Sequence, residues 1–179
     1  MTAKLVNKLI GLGFESEKAK ALDDRFDAIA IKTIFVPAGL GKAGATAGFT
    51  TATNNGTATC AATITSGTFT LPIIGLVAGD IISAFKVIAQ IESAGGAVTL
   101  DATLRYTTNV AADPTDTSLG GITQISVSAD TASAVSKTLA TAYTVTSGQS
   151  VYALLTATTA GSTDIQVLGV EVTVVSAQE

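Results

Sequence analysis

Val98 to Thr107 reads VTLDATLRYT, and its alternation decides the fold. Val98, Leu100, Ala102, Leu104 and Tyr106 fall on one side of an extended chain, and Thr99, Asp101, Thr103, Arg105 and Thr107 fall on the other. A period of two belongs to a strand with one buried face. Upstream, Ile81, Phe85, Val87, Ala89 and Ile91 mark a second long strand, and Ser93-Ala94-Gly95-Gly96 between the two reads as a hairpin loop. The pattern returns near the end of the chain. Val151, Ala153, Leu155 and Ala157 share a face, Ala160-Gly161-Ser162 turns, and Leu168, Val170, Val172 and Val174 share a face on the way back. Ile165 and Val167 are out of phase with that last set, which places a bulge near Gly169.

Shorter strands are expected at residues 49–53, 57–64, 68–73, 122–129, 136–139 and 143–146, punctuated by turn signals such as Asn54-Asn55-Gly56 and Ala78-Gly79-Asp80. So many strands without intervening helices imply an all-β fold: an antiparallel β-sandwich of jelly-roll type. Ala58, Cys60, Ala62 and Ile64 share one face, which makes Cys60 a small buried hydrophobe rather than a reactive thiol.

Composition agrees. Of 179 residues 47% are apolar, enough for a real core, while only 13% are charged and 5% aromatic. The formal net charge of −4 comes without a basic cluster, which argues against nucleic acid as a partner. No apolar run is long enough to span a bilayer. The Leu5–Leu12 stretch, broken by Asn7 and Lys8, does not read as a signal peptide. With one cysteine no disulfide forms within the chain, and with no histidine the Ser-His-Asp triads, Cys-His dyads and histidine metal sites are excluded.

Charge divides the chain in two. Residues 1–32 carry six basic residues and five acids, whereas beyond them the only bases are Lys42, Lys86, Arg105 and Lys137. The expectation is a two-helix arm over 1–32 and a sandwich over 33–179. Leu5, Leu9 and Leu12 recur at helical spacing before Gly11 and Gly13 end the first helix. Ser16 caps the second, which places Ala19, Leu22, Phe26 and Ile29 on one face. The two stripes either pack on the protein's own sandwich or dock onto another subunit. On the second reading the partner-binding residues are Leu5, Leu9, Leu12, Leu22, Phe26 and Ile29.

Candidate active sites fail one by one. Gly39-x-Gly41-x-x-Gly44 has the spacing of a dinucleotide loop, but a strand-like segment follows it, and no acid lies between Asp27 and Asp80 to hold a ribose. As a phosphate loop it lacks the first glycine, where Val36 stands, and has Ala43 after Lys42 in place of Ser or Thr. It is expected to be a long, exposed, mobile connection. Asp113 and Asp116, with Thr117 and Ser118, are a candidate calcium site, and a polar turn around Pro114 accounts for the same residues. No pair of acids sits where a glycosidase needs them. Without Trp, only Tyr106, Tyr143 and Tyr152 offer a stacking platform for sugars. Arg105 and Lys86 read as solvated positions on outer faces. No catalytic residue, cofactor or metal is assigned, and the expected mode of action is contact.

Three stretches carry a family resemblance: GLVAGDIISAFKVIAQIESAGGAVTLDATLRYTTN (Gly75–Asn109), SLGGITQISVSAD (Ser118–Asp130) and YALLTATTAGSTDIQVLGVEVTV (Tyr152–Val174). In their Ala/Thr/Val-rich cadence they resemble structural proteins of tailed-bacteriophage virions, of the head decoration (cement) or head-fibre type. The resemblance implies a non-enzymatic component of the virion's capsid surface, made in the host cytoplasm and often a homotrimer. It also implies the major capsid protein or other virion subunits as partners, with neither nucleic acid nor membrane. The alternative is a tail-fibre or receptor-binding tip that recognises a host surface glycan. A cellular carbohydrate-binding module or hydrolase is a third reading, against which the scarcity of acids, histidine and aromatics counts.

Overall fold

The computed structural model describes residues 18, 29–44, 48–51, 56–91, 98–109, 115–123, 125, 133–161 and 163–177. They form eleven strands: β1 (Ile29–Pro37), β2 (Lys42–Ala43), β3 (Phe49–Thr51), β4 (Ala58–Cys60), β5 (Gly67–Pro72), β6 (Ile81–Ile91), β7 (Val98–Thr108), β8 (Asp116–Ile122), β9 (Ser133–Thr144), β10 (Gln149–Thr159) and β11 (Ile165–Ala177). One sheet, here sheet A, runs β3-β4-β11-β6-β9, with β1 also paired to β11. Sheet B runs β2-β5-β10-β7-β8. All pairings are antiparallel. From β4 to β11 the chain alternates between sheets except at β7–β8, the double Greek-key wrapping of a jelly roll.

That wrapping corrects the two expected hairpins. β6 pairs with β11 and β9, whereas β7 pairs with β10 and β8. β10 and β11 likewise belong to opposite sheets. The two strands of each pair lie in opposite sheets and feed one core instead of pairing edge to edge. Alternation shows which side of a strand is apolar, and that side is the same whether its neighbour in sequence is a ladder partner or lies across the sandwich.

Inner faces supply the core. Val151, Ala153, Leu155 and Ala157 of β10 and Leu100, Ala102 and Leu104 of β7 face Phe85, Val87 and Ala89 of β6 and Val170, Val172 and Val174 of β11, all buried. The bulge comes where it was expected, as a register shift between Val167 and Gly169. It keeps Ile165 and Val167 buried with the later valines, and it turns Leu168 out of the set in which the alternation had placed it. Thr159, though buried, has both of its hydroxyl's roles filled: Oγ1 accepts from the Ile64 amide at 2.9 Å and donates to the Ala61 carbonyl at 2.7 Å. Buried polar groups are tolerated on that condition.

Other expectations shift. The 57–64 strand shortens to β4, and the chain turns at Ala62-Thr63, where Thr63 has φ of 63°. Residues 136–139 and 143–146 fall largely in one strand, β9, whose ladder on β6 breaks between Ile82 and Ala84. The strand expected at 122–129 lies earlier, as β8, and most of 124–132 is outside the described residues.

Val36–Gly44 is not the open connection that its glycines imply. It finishes β1, makes one 3₁₀ turn (Ala38–Leu40) and enters β2 on the edge of sheet B. Gly41 is a packing glycine. A Cβ there would stand 2.2 Å from Cζ of Phe69, whose ring lies 5.2 Å from that of Phe49. Gly39 donates its amide to Gly56 at 2.6 Å, and a Cβ on it would meet Gly56 Cα at 2.8 Å. The phosphate-loop reading fails on the same geometry, because a strand and not a helix N-terminus follows.

Candidate functional site

Of the residues assigned to partner binding, Leu5, Leu9, Leu12, Leu22 and Phe26 lie outside the described residues. Ile29 does not lie on a helix. It opens β1, opposite Ala177 of β11. The strand therefore takes up Ile29–Lys32, which charge had grouped with the arm. Residues 31–36 alternate between more and less exposed positions, and nine consecutive pairings with β11 give the backbone a ladder on one side.

Large apolar side chains stay in water at Ile31 and Phe35 of β1, at Leu40 just after it, and at Ile74 and Val77 before β6. Val36 is fully buried, but Ile31 is 75% exposed and Phe35 50%, both on the outer face of sheet A with exposed Thr33 between them. Phe35 lies over Gly169, where a Cβ would come within 2.6 Å of the ring. The bulge glycine thus makes room for an aromatic on the outside of the sheet. Next along this face, in register with Phe35, come Glu171 and Lys86, joined as an ion pair. Lys86 is thus paired rather than simply solvated.

β1 is pinned by a buried carboxylate. Asp80, 1% exposed, accepts hydrogen bonds from Lys32 Nζ at 3.0 Å, Ser176 Oγ at 2.7 Å and the Val77 amide at 3.1 Å. One side chain ties β1, the end of β11 and the turn before β6. Burial pushes this carboxyl up, but the hydrogen bonds from Ser176, Val77 and Lys32 and the lysine's charge outweigh it and hold the group below the usual carboxylate range. Nothing in the spacing of Lys32, Asp80 and Ser176 marks them as partners.

The outer face of sheet B carries a polar cluster. Arg105 Nε donates to both oxygens of Asp116 at 2.9 and 3.0 Å, its Nη2 lies 2.9 Å from Oδ2, and the Tyr152 hydroxyl donates to Oδ1 at 2.6 Å. Pro72 stands opposite Tyr152 across β5–β10. Arg105, expected to be solvated, is thus in a bidentate pair. Its hydrogen bonds hold the Asp116 carboxyl below the usual range, more than burial raises it. Asp116 is therefore a strand residue already neutralised by a guanidinium, and its proposed calcium partner Asp113 lies outside the described residues. No cluster of three or more metal-ligating side chains occurs among the described residues.

Of the three tyrosines only Tyr152 is on this face. Tyr106 and Tyr143 stack on each other at 4.7 Å, and the Tyr143 hydroxyl donates to Gln149 Oε1. Burial and then Tyr106 push the Tyr143 phenol up to about 12. Gln149 also lines, with Ile73, Ile74, Leu76, Val145 and Val151, a cavity of about 310 Å³. Cys60 is fully buried, and burial raises its thiol to about 11, in keeping with the packing role expected of it. Among the described residues no helix is long and apolar enough to cross a membrane.

No family model matches the chain, and no curated protein matches it. Solved structures share its architecture. A xylan-binding module, CBM15, superposes with a TM-score of 0.52 at 15% identity, over 84% of this chain and 99% of that one. The CBM22-1-GH10 portion of a Clostridium thermocellum endo-1,4-beta-D-xylanase, complexed with xylohexaose, gives 0.46 at 14% identity; the match covers 80% of this chain but only 28% of the xylanase chain. An infectious bursal disease virus structure gives 0.42 at 10% identity, over 84% of this chain and 34% of that one. The match to the first of these bears out the jelly-roll sandwich.

Proposed function

We propose that this protein is a non-enzymatic structural component of a tailed-bacteriophage virion, a decoration protein that cements the capsid by binding its outer surface across capsomer seams. One observation supports this above the others: Ile31 and Phe35 are left in solvent on β1, the strand directly following the charged N-terminal segment. A partner that covers them gains apolar burial at about 25 cal/mol per Å². Small Thr, Ala and Val side chains around them lose little rotamer entropy on docking, and a face with few charges binds with little dependence on salt. The partner is the major capsid protein, and repetition over many equivalent sites multiplies a modest contact. The homotrimer implied by the family resemblance belongs to this proposal.

Immunogold labelling of intact particles with antibody to this chain tests it. Label over the heads is expected, and particles that carry none overturn the reading. Deleting residues 1–28, which leaves β1 whole, then measures the arm. Binding to undecorated heads is expected to weaken.

A second reading, a receptor-binding tip module for a host glycan, is favoured by the outer face of sheet B. Tyr152, flanked by Pro72, offers a ring face, and Arg105 and Asp116 offer a donor and an acceptor beside it. The fold is also that of a xylan-binding module. A glycan array probed with the full chain and with Tyr152→Ala separates the readings. Signal that vanishes in the variant supports the tip module, and a blank array refutes it.

A further inference from the structure

Sheet edges attract other strands unless something blunts them. Most edges of this sandwich are blunted. β2 and β3 are two and three residues long. β8 has a register shift against β7, and its Gly120 sits at φ 149°. β9 breaks its ladder on β6 and presents exposed Lys137. β1 is different. It is nine residues long and in unbroken register with β11, it has no strand on its other side among the described residues, and its outward side chains Ile31, Thr33 and Phe35 bear no charge. Its one charge, Lys32, is committed to Asp80.

We propose that β1 joins two copies of this protein, edge to edge and antiparallel, about a two-fold axis beside Thr33. The strand's own sequence argues for a second copy as the occupant. Thr33 is the midpoint of Ile29–Pro37, so a centred register uses the whole strand. It sets Ile31 of one copy against Phe35 of the other, twice, with Thr33 facing Thr33. Aromatic against β-branched is a favourable cross-strand pair, and an isologous contact requires this self-complementarity. At about 3.3 Å per residue the paired edge is roughly 30 Å long. A single added strand pair buries less than the ~800 Å² per partner of a stable complex, so the contact is weak in solution and effective when copies are arrayed. A two-fold contact does not close a trimer, so on a shell it links one oligomer to the next.

Cross-linking of the purified full-length chain tests this. Opposed Cα atoms in an antiparallel pair are about 4.5–5.5 Å apart, within the range of about 4.4–6.8 Å that a disulfide spans. Thr33→Cys, treated with copper-phenanthroline, loses two thiol protons and passes two electrons to Cu(II) as the intermolecular S–S bond forms. The expected rate of covalent dimer formation is at least about tenfold above that of Lys137→Cys on the β9 edge, because pairing raises the local thiol concentration. Native Cys60 is buried and does not compete. Adding Ile31→Lys to Thr33→Cys is expected to bring the rate down to that of the β9 control. Equal rates for the two single variants, or a rate that Ile31→Lys leaves unchanged, overturn the proposal. It does not rest on the virion reading: unlabelled particles leave it standing, and failed cross-linking leaves capsid binding standing.

Discussion

Replacing Asp80 by Asn keeps the side chain's shape and removes its charge. In the native protein the carboxylate, with 1% exposure, accepts from Lys32, Ser176 and the Val77 amide. Deleting one partner of a buried ion pair costs about 3–5 kcal/mol when the other charge is stranded. Here the Lys32 side chain is 35% exposed and rehydrates in part, and the asparagine oxygen still accepts one or two of the bonds. The expected loss is therefore about 2–3 kcal/mol at neutral pH, near the value of charged hydrogen bonds. For a chain of this size that lowers Tm by roughly 4–12 °C. The protein has no Trp, so far-UV circular dichroism during urea unfolding is the suitable probe.

The pH dependence gives the prediction its direction. The folded Asp80 carboxyl titrates below the unfolded one. Its stabilising contribution is then present in full above the unfolded value of about 3.9 and is lost as pH falls through the folded value. Asp116 has a lowered pKa as well, so wild type and variant both weaken in acid. The difference between them isolates Asp80, and it is expected to hold steady from neutral pH to about pH 5 and to shrink below about pH 4. Equal stability at pH 7, or a difference that persists undiminished in strong acid, refutes the claim that this charge pins β1.

Gly41→Ala puts a methyl group 2.2 Å from the Phe69 ring and 2.8 Å from the Thr70 carbonyl oxygen. Overpacking costs about 1–3 kcal/mol, so thermal unfolding is expected to drop by several degrees. An unchanged Tm would return the Gly39–Gly44 segment to the flexible loop its composition implied. Cys60 is expected to react with a thiol reagent only as fast as the protein unfolds, because it is buried and its thiol is raised to about 11. Rapid labelling under native conditions contradicts that. Asp116→Asn is expected to lower stability by no more than about 1 kcal/mol, since the Arg105 pair is at the surface, and millimolar calcium is expected to leave the wild-type Tm unchanged. A calcium-dependent rise of several degrees would revive the metal site.

The sandwich was legible in the sequence because its signal is local. Val98–Tyr106 and Val151–Ala157 each state their own buried face, and Ile165 and Val167, out of phase with the later valines, state the bulge. Which strand lies beside which is a property of distant pairs. β10, for example, sits between β5 and β7, neither of which is its neighbour in sequence. A glycine spacing is ambiguous in the same way. Gly41 is set by Phe69, twenty-eight residues on, and no reading of residues 36–48 alone separates a close approach from a flexible loop. The Asp80 pin joins residues 32, 77 and 176, and only the fold brings them together.

Where function can reside follows from this division. The core repeats one apolar theme, so it distinguishes this chain from other jelly rolls very little. The outer faces hold what differs, namely the exposed Ile31 and Phe35 on sheet A and the Tyr152–Arg105–Asp116 cluster on sheet B. The two faces are physically unlike. The sheet B cluster has satisfied its own charges, so a ligand there must compete with a bidentate pair or stack on Tyr152 without disturbing it. The β1 face gives up less, since Ile31, Thr33 and Phe35 bear no charge and the nearest ion pair, Glu171–Lys86, lies beyond them. Its apolar side chains and open edge gain by being covered, and Asp80 keeps the strand on its sheet while they are. A contact that breaks few existing interactions is the stronger basis for assembly, and for that reason the proposed docking surface is β1 rather than sheet B.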